Sequence, residues 1–88
     1  MVADGDYVAV FHSIHRVMKA EKLLKGLRFA VLLIPAPRVL SSDCGLALRY
    51  APGDREAVER ALVDASLAPV EIFVKQGDTY VAVEPTET

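Results

Sequence analysis

Tyr7-Val8-Ala9-Val10-Phe11 runs without a polar break and leads through His12-Ser13 into Ile14-His15-Arg16-Val17-Met18, where the apolar residues change from continuous to helical spacing. A short uninterrupted run of strand formers reads as a strand buried on both faces, hence a central one. Ser13 is placed to cap the helix that follows. Ile14, Val17, Met18, Leu24 and Leu27 recur at helical intervals, with Ala20 and Leu23 between them, and predict its buried face. Arg16, Lys19, Lys22 and Lys25 fall on the other side, and Gly26 is the expected stop.

Working outward, Phe29-Ala30-Val31-Leu32-Leu33-Ile34 predicts a second strand closed by Pro35 and Pro37, since proline cannot donate to a ladder. Leu46-Ala47-Leu48-Arg49-Tyr50 predicts a third, with Leu46, Leu48 and Tyr50 on one face. Pro52-Gly53 breaks the chain and Asp54 is the expected cap of a second helix. Val58, Ala61, Leu62 and Ala65 form its apolar stripe, and Glu56, Glu59, Arg60 and Asp64 its solvent face. Ile72-Phe73-Val74 is a fourth strand. Gln76-Gly77-Asp78 is a turn, after which Thr79 to Val83 forms an optional fifth strand. The order β-α-β-β-α-β predicts an α+β, ferredoxin-like antiparallel sheet with both helices on one face, because each crossover is right-handed. The opposite face of the sheet is then expected to be open, covered by a second copy, another partner or the C-terminal hairpin.

The 88 residues suffice for one domain, with a core over about residues 6–83 and a polar tail at 84–88. Apolar residues make up 52% of the chain and exclude a disordered class. The net charge of -2 argues against a nucleic-acid partner. The charge is unevenly placed: residues 1–44 hold six Lys/Arg against four Asp/Glu, and residues 45–88 hold four against eight. The basic row on the first helix reads either as an ordinary solvated face or as a dock for an acidic partner. The N-terminal Met1-Val2-Ala3-Asp4-Gly5-Asp6 is acidic where a secretion signal is basic, and no apolar run is long enough to span a bilayer. A cytoplasmic protein with no membrane partner is expected.

Chemistry concentrates in Ile34-Pro35-Ala36-Pro37-Arg38-Val39-Leu40-Ser41-Ser42-Asp43-Cys44-Gly45-Leu46. Neighbouring strands are commonly joined by hairpin loops of about 2–5 residues, so this link is long enough to be a shaped loop. Its Cys44 is the only cysteine, which rules out an internal disulfide and a two-cysteine redox cycle. A thiol reacts as thiolate and needs surroundings that favour negative charge. Ser41 and Ser42 offer hydroxyls and amides, Gly45 permits a tight turn, and Arg38 is a cation within folding reach. Asp43 acts in the opposite sense if it faces the sulfur. The alternative is a small buried apolar cysteine. His12 and His15 flank the start of the first helix, as candidate bases for the thiol or as exposed helix-start residues. With Cys44 they make three zinc ligands without a fourth, so no metal site is assigned. No glycine-rich phosphate loop follows a strand, and no cofactor is expected.

The Phe11-His12-Ser13 strand end, the helix reading Lys19-Ala20-Glu21-Lys22-Leu23-Leu24, the element Ile34-Pro35-Ala36-Pro37-Arg38 and the segment Ser41-Ser42-Asp43-Cys44-Gly45-Leu46-Ala47 together resemble the small bacterial putative selenium/sulfur carrier protein-like family. The resemblance covers about Tyr7 to Phe73. It implies a carrier that is loaded and emptied rather than a turnover enzyme. Cys44 would hold a persulfide or selenopersulfide, with Arg38, Ser41, Ser42 and Gly45 as its supporting loop. The implied partners are a sulfur or selenium donor enzyme and an acceptor protein. The chain departs from better-known small sulfur carriers, whose Cys-Pro motif starts a helix, because here Gly45 and a strand follow the cysteine. A homo-oligomer is expected from the open sheet face. The competing reading is a small ligand-binding or regulatory ferredoxin-like module, or an adaptor docking through its sheet, in which Cys44 is structural.

Overall fold

The computed structural model describes residues 2–40 and 44–86. Strand β1 (Tyr7–Val10) leads into helix α1 (Ile14–Gly26), which returns to β2 (Leu32–Pro35) and, through the long link, to β3 (Leu46–Tyr50). A single 3-10 turn (Pro52–Asp54) then opens helix α2 (Arg55–Asp64), followed by β4 (Glu71–Gln76) and β5 (Thr79–Val83). All neighbouring pairs are antiparallel, in the order β2-β3-β1-β4-β5. The apolar run at Tyr7 thus lies at the centre of a five-stranded sheet, and the optional fifth strand is present as a hairpin partner of β4.

The strand period divides the core into two layers. On one side Ala9, Leu48, Tyr50 and Ile72 meet Val17, Ala20 and Leu24 of α1 and Val58 and Leu62 of α2. Both helices therefore share this face. Truncating a side chain as closed off as Leu24 or Leu62 costs about 2–5 kcal/mol. On the other side Val8, Val10, Ile34 and Ala47 form a second apolar layer. That layer is not open over the central strand: Leu40 of the β2–β3 link is buried within it, and Val2, Ala36, Phe73 and Tyr80 pack around it. The chain folds its own loop across the surface that the element order leaves bare. The C-terminal β4–β5 hairpin contributes Phe73 and Tyr80 to that layer.

Local chemistry explains where the elements begin and end. Ser13 caps α1 as expected, its hydroxyl accepting from Arg16 N–H at 3.2 Å. Gly26 is the last helical residue, as expected of the stop, but the left-handed turn falls beyond it. Arg28 takes the left-handed turn at φ 72°, while Phe29 N–H donates to the Leu24 carbonyl at 2.9 Å and Arg28 N–H to Lys25 O at 2.9 Å. This closing turn delays β2, which starts at Leu32 rather than Phe29. Helix α2 ends the same way, with Ser66 at φ 59° and Leu67 N–H donating to Leu62 O at 2.8 Å. Asp54 occupies the first position before α2, but its side chain makes no capping bond, because the 3-10 turn already winds the backbone there. Pro35 closes β2 from inside the strand, which an edge strand tolerates.

Candidate functional site

The β2–β3 link is pinned at both ends. Ala36 N–H donates to Gly45 O at 2.9 Å, Leu40 N–H closes a turn onto Pro37 O at 2.9 Å, and Leu40 anchors the loop in the second core layer. Gly45 turns the chain into β3 at φ +74°, a conformation costly for any residue with a Cβ. Cys44 sits just before that turn. It is partly buried and packs against the helix-side core. Its thiol faces two backbone carbonyls: Sγ donates to Leu46 O at 3.4 Å and lies 3.9 Å from Phe11 O.

The contact with Phe11 follows from strand order. β1 and β3 are paired from Tyr7↔Tyr50 to Val10↔Ala47, so the residues that leave β1 and those that enter β3 meet at one end of the sheet. Cys44 therefore lies at the β1–α1 junction, beside the carbonyl of the residue preceding His12. His12 and His15 are both solvent-exposed at this junction, just before the cap and in the first turn of α1. That first turn carries no acidic residue, and the positive end of the α1 dipole opens at the same end of the sheet. Arg38 is solvent-exposed in the turn after Pro37. Ser41 and Ser42 lie outside the described residues. Among the described residues, no group of three or more His, Cys, Asp or Glu is placed to hold a metal ion.

A second polar constellation occupies the opposite end of the same strands, about 13 Å away for a four-residue run of strand. Glu59 of α2 is 2% exposed, the reverse of its expected place on the solvent face. Tyr50 O–H donates to Glu59 Oε2 at 2.6 Å, Arg55 Nε donates to the same oxygen at 3.0 Å, and Thr86 N–H donates to Oε1 at 2.6 Å. Burial pushes the Glu59 carboxyl up, but these donors outweigh it and hold it below the usual carboxylate range. Burial, then the adjacent carboxylate, pushes the Tyr50 hydroxyl far up, so Tyr50 stays a donor. Arg55 stacks over the Tyr7 ring with Cζ 4.5 Å from its centroid, Tyr7 stacks on Tyr50 at 5.9 Å, and Arg55 also donates to Glu84 O. Every group named here is matched, and the cluster fastens the C-terminal segment to α2. Sequence spacing carries only one local signal for it, the Arg55/Glu59 pair at i,i+4.

Two further features frame the site. Asp6, 4% exposed, accepts from Arg49 Nε at 2.8 Å and from Ala3 N–H at 2.9 Å. Burial raises its carboxyl, and the Arg49 and Ala3 donors reverse the shift, leaving it lowered. A groove of about 390 Å³ lies at the far end of α1, where Leu27 and Phe29 face Ala57, Arg60 and Ala61 of α2. It is remote from the α1 N-terminus and hence from Cys44.

A small α+β domain that holds one partly exposed thiol beside the start of its first helix is the class that fold and site define. The chain belongs to the putative Se/S carrier protein-like family, whose family model matches residues 6–74. The match spans β1 through most of β4 and includes Cys44, while β5 and the Arg55–Glu59 clasp partners Glu84 and Thr86 lie beyond it. No curated protein and no solved structure matches the chain. No described helix is long and apolar enough to cross a membrane.

Proposed function

We propose that the protein is a sulfur or selenium carrier on a ferredoxin-like scaffold, and that Cys44 is the carrying atom's attachment point. One observation carries this reading: the only thiol of the chain falls inside the family match and sits, partly exposed, at the mouth of a pinned loop. Loading is a thiol exchange. The Cys44 thiolate attacks the outer sulfur of a donor cysteine persulfide, a new Sγ–S bond forms, and the donor's S–S bond breaks. The donor cysteine leaves as thiolate with the electron pair, and Cys44 becomes Cys44–S–SH. Unloading is the same step run toward an acceptor nucleophile. No net oxidation occurs.

The surroundings suit this work in three ways. The carbonyls of Leu46 and Phe11 fix the direction of Sγ. The N-terminal end of α1, with no acidic residue in its first turn, favours a sulfur anion close by. His12, the residue after Phe11, is our candidate to take the thiol proton, with His15 in the first turn of α1 behind it. Arg38 and Gly45 belong to the loop that presents the thiol, and the family resemblance adds Ser41 and Ser42 as its supporting residues in sequence.

The deciding experiment is intact mass spectrometry of the protein, without reductant, after incubation with a cysteine desulfurase and free cysteine. The expected result is addition of sulfur that is lost on reduction and absent in Cys44→Ser. A chain that gains no sulfur, and whose Cys44 resists alkylation while folded, makes Cys44 a core residue. It would shift attention to the α1–α2 groove as a ligand site.

A further inference from the structure

Helix α1 does not bury the whole face that its apolar spacing predicts. Val17, Ala20 and Leu24 are sealed in the core, but Ile14 is 46% and Met18 is 50% exposed. These two are one turn apart on one flank of the helix. Ile14 is three residues from Phe11, whose carbonyl lies 3.9 Å from Cys44 Sγ, so its backbone is within about 11 Å of Phe11 by chain length alone. Exposed apolar side chains scattered singly need no explanation. A pair in register at the thiol's end of the sheet, continued by cations, is a different pattern.

The cations are of one sign. α1 carries Arg16, Lys19, Lys22 and Lys25 against Glu21 alone, in a chain of net charge -2. Lys25 is paired with Glu21 at 3.0 Å and Arg16 donates to Ser66 O at 2.7 Å. Lys19 and Lys22 make no ion pair with any described residue. The outer face of α2, by contrast, mixes Glu56, Arg60 and Asp64. Solubility does not require segregation of this kind, whereas recognition of an oppositely charged surface does.

We infer that the flank of α1 carrying Ile14 and Met18, with Lys19 and Lys22 beside it on the outer face, docks an acidic surface with an apolar patch around the persulfide cysteine of the protein that loads Cys44. The inference rests on the carrier reading above. The apolar pair favours a protein over a polyanion, since neither nucleic acid nor lipid headgroups would be recognised by half-exposed Ile14 and Met18 ringed by so few cations.

The test compares two sulfur sources on the full chain: a cysteine desulfurase with cysteine, which must dock, and inorganic polysulfide, which need not. Loading rates are followed by intact mass for the wild type, the Lys19→Glu/Lys22→Glu double variant and Met18→Ser, all surface changes. Expected is a loss of about 10-fold or more in desulfurase-driven loading for the charge reversal, with polysulfide loading unchanged. Raising ionic strength from about 0.05 to about 0.5 M should slow the wild type and leave the reversed variant unaffected. Equal desulfurase loading of wild type and variants overturns the docking face and leaves the carrier reading standing, and so does loading by polysulfide alone. Failure of Cys44 to take sulfur from either source overturns both.

Discussion

β1 and β3 carry a polar site at each end, and the two are built on opposite principles. At the Tyr7–Tyr50 end, a buried carboxylate is surrounded by an aromatic hydroxyl, a guanidinium and a backbone amide, each within hydrogen-bond distance. At the Phe11–Leu46 end, a thiol faces two carbonyls at sulfur-length contacts, next to a left-handed glycine and a helix start with no acidic residue in its first turn. The first end is saturated and locks α2 and the C-terminal segment in place. The second end presents a partly exposed thiol beside backbone carbonyls. Sites that react are drawn from the less tightly held parts of a fold, so under the carrier reading one pair of strands would support both extremes.

The comparison breaks most readily at the saturated end. Glu59→Ala leaves the Tyr50 hydroxyl and the Thr86 amide without their acceptor and Arg55 without its counter-charge. Removing one partner of such a buried pair costs about 3–5 kcal/mol, to be read as a fall in the urea midpoint. At temperatures where the variant stays folded, Cys44 should alkylate at the wild-type rate. A large change in Cys44 reactivity would mean that the two ends are coupled.

Acid should act on the same end before it touches the other. Glu59 and Asp6 both have folded values below the ordinary 4.5 and 3.8. A lowered carboxyl contributes stability that is fully present above its unfolded value and is lost as pH falls through its folded value. The urea midpoint should therefore hold level on account of these groups between about pH 7 and 5 and drop below about pH 4. Glu59→Gln and Asp6→Asn, each less stable at neutral pH, should show a shallower acid slope. An unchanged slope in both variants would contradict the lowered carboxyls.

How much of this is legible in the sequence follows from the range of each interaction. Strand β1, strand β3 and the Ser13 cap are local facts of composition and spacing, and all appear where spacing puts them. The closing turn after Gly26 escapes such a reading because its left-handed position is filled by Arg28, not by a glycine, and that displaces the start of β2. Glu59 escapes it because its burial depends on Tyr50 from a strand and Thr86 from the C-terminal segment, and only Arg55 is a sequence neighbour. For Cys44, the loop is legible and its neighbours are not. The meeting with Phe11 is a product of strand order, which no spacing within the loop encodes. Leu40, which closes the second core layer, reads from sequence only as part of a loop.

The reactive end can be tested through its turn. Gly45 sits at φ +74° with no atom within 4 Å of where a Cβ would stand, so the effect of a side chain there is conformational rather than steric. Gly45→Ala should cost about 1–2 kcal/mol of stability. Because the turn aims the thiol at Leu46 O, it should also change the rate of Cys44 alkylation. A variant equal to wild type in both would remove the glycine from the site.

The smallest expected effect is a gain, and it isolates the fold from both ends. Arg28 and Ser66 hold left-handed angles of 72° and 59° at the closing turns of α1 and α2, and neither side chain has the freedom that position favours. The closing bonds, Phe29 to Leu24 and Leu67 to Leu62, are backbone bonds and do not need either side chain. Replacing each residue by glycine relieves the strain but adds freedom to the unfolded chain, and these two effects oppose each other. At this helix-closing position relief of strain outweighs the added freedom, so Arg28→Gly and Ser66→Gly should each raise stability by about 0.5–1 kcal/mol. Ser66→Gly is the cleaner of the two, because it removes no charge and keeps the carbonyl that accepts from Arg16. The gain should appear in the urea midpoint with Cys44 reactivity unchanged. A loss in both variants would mean that the side chains at these turns contribute more than their backbone angles cost.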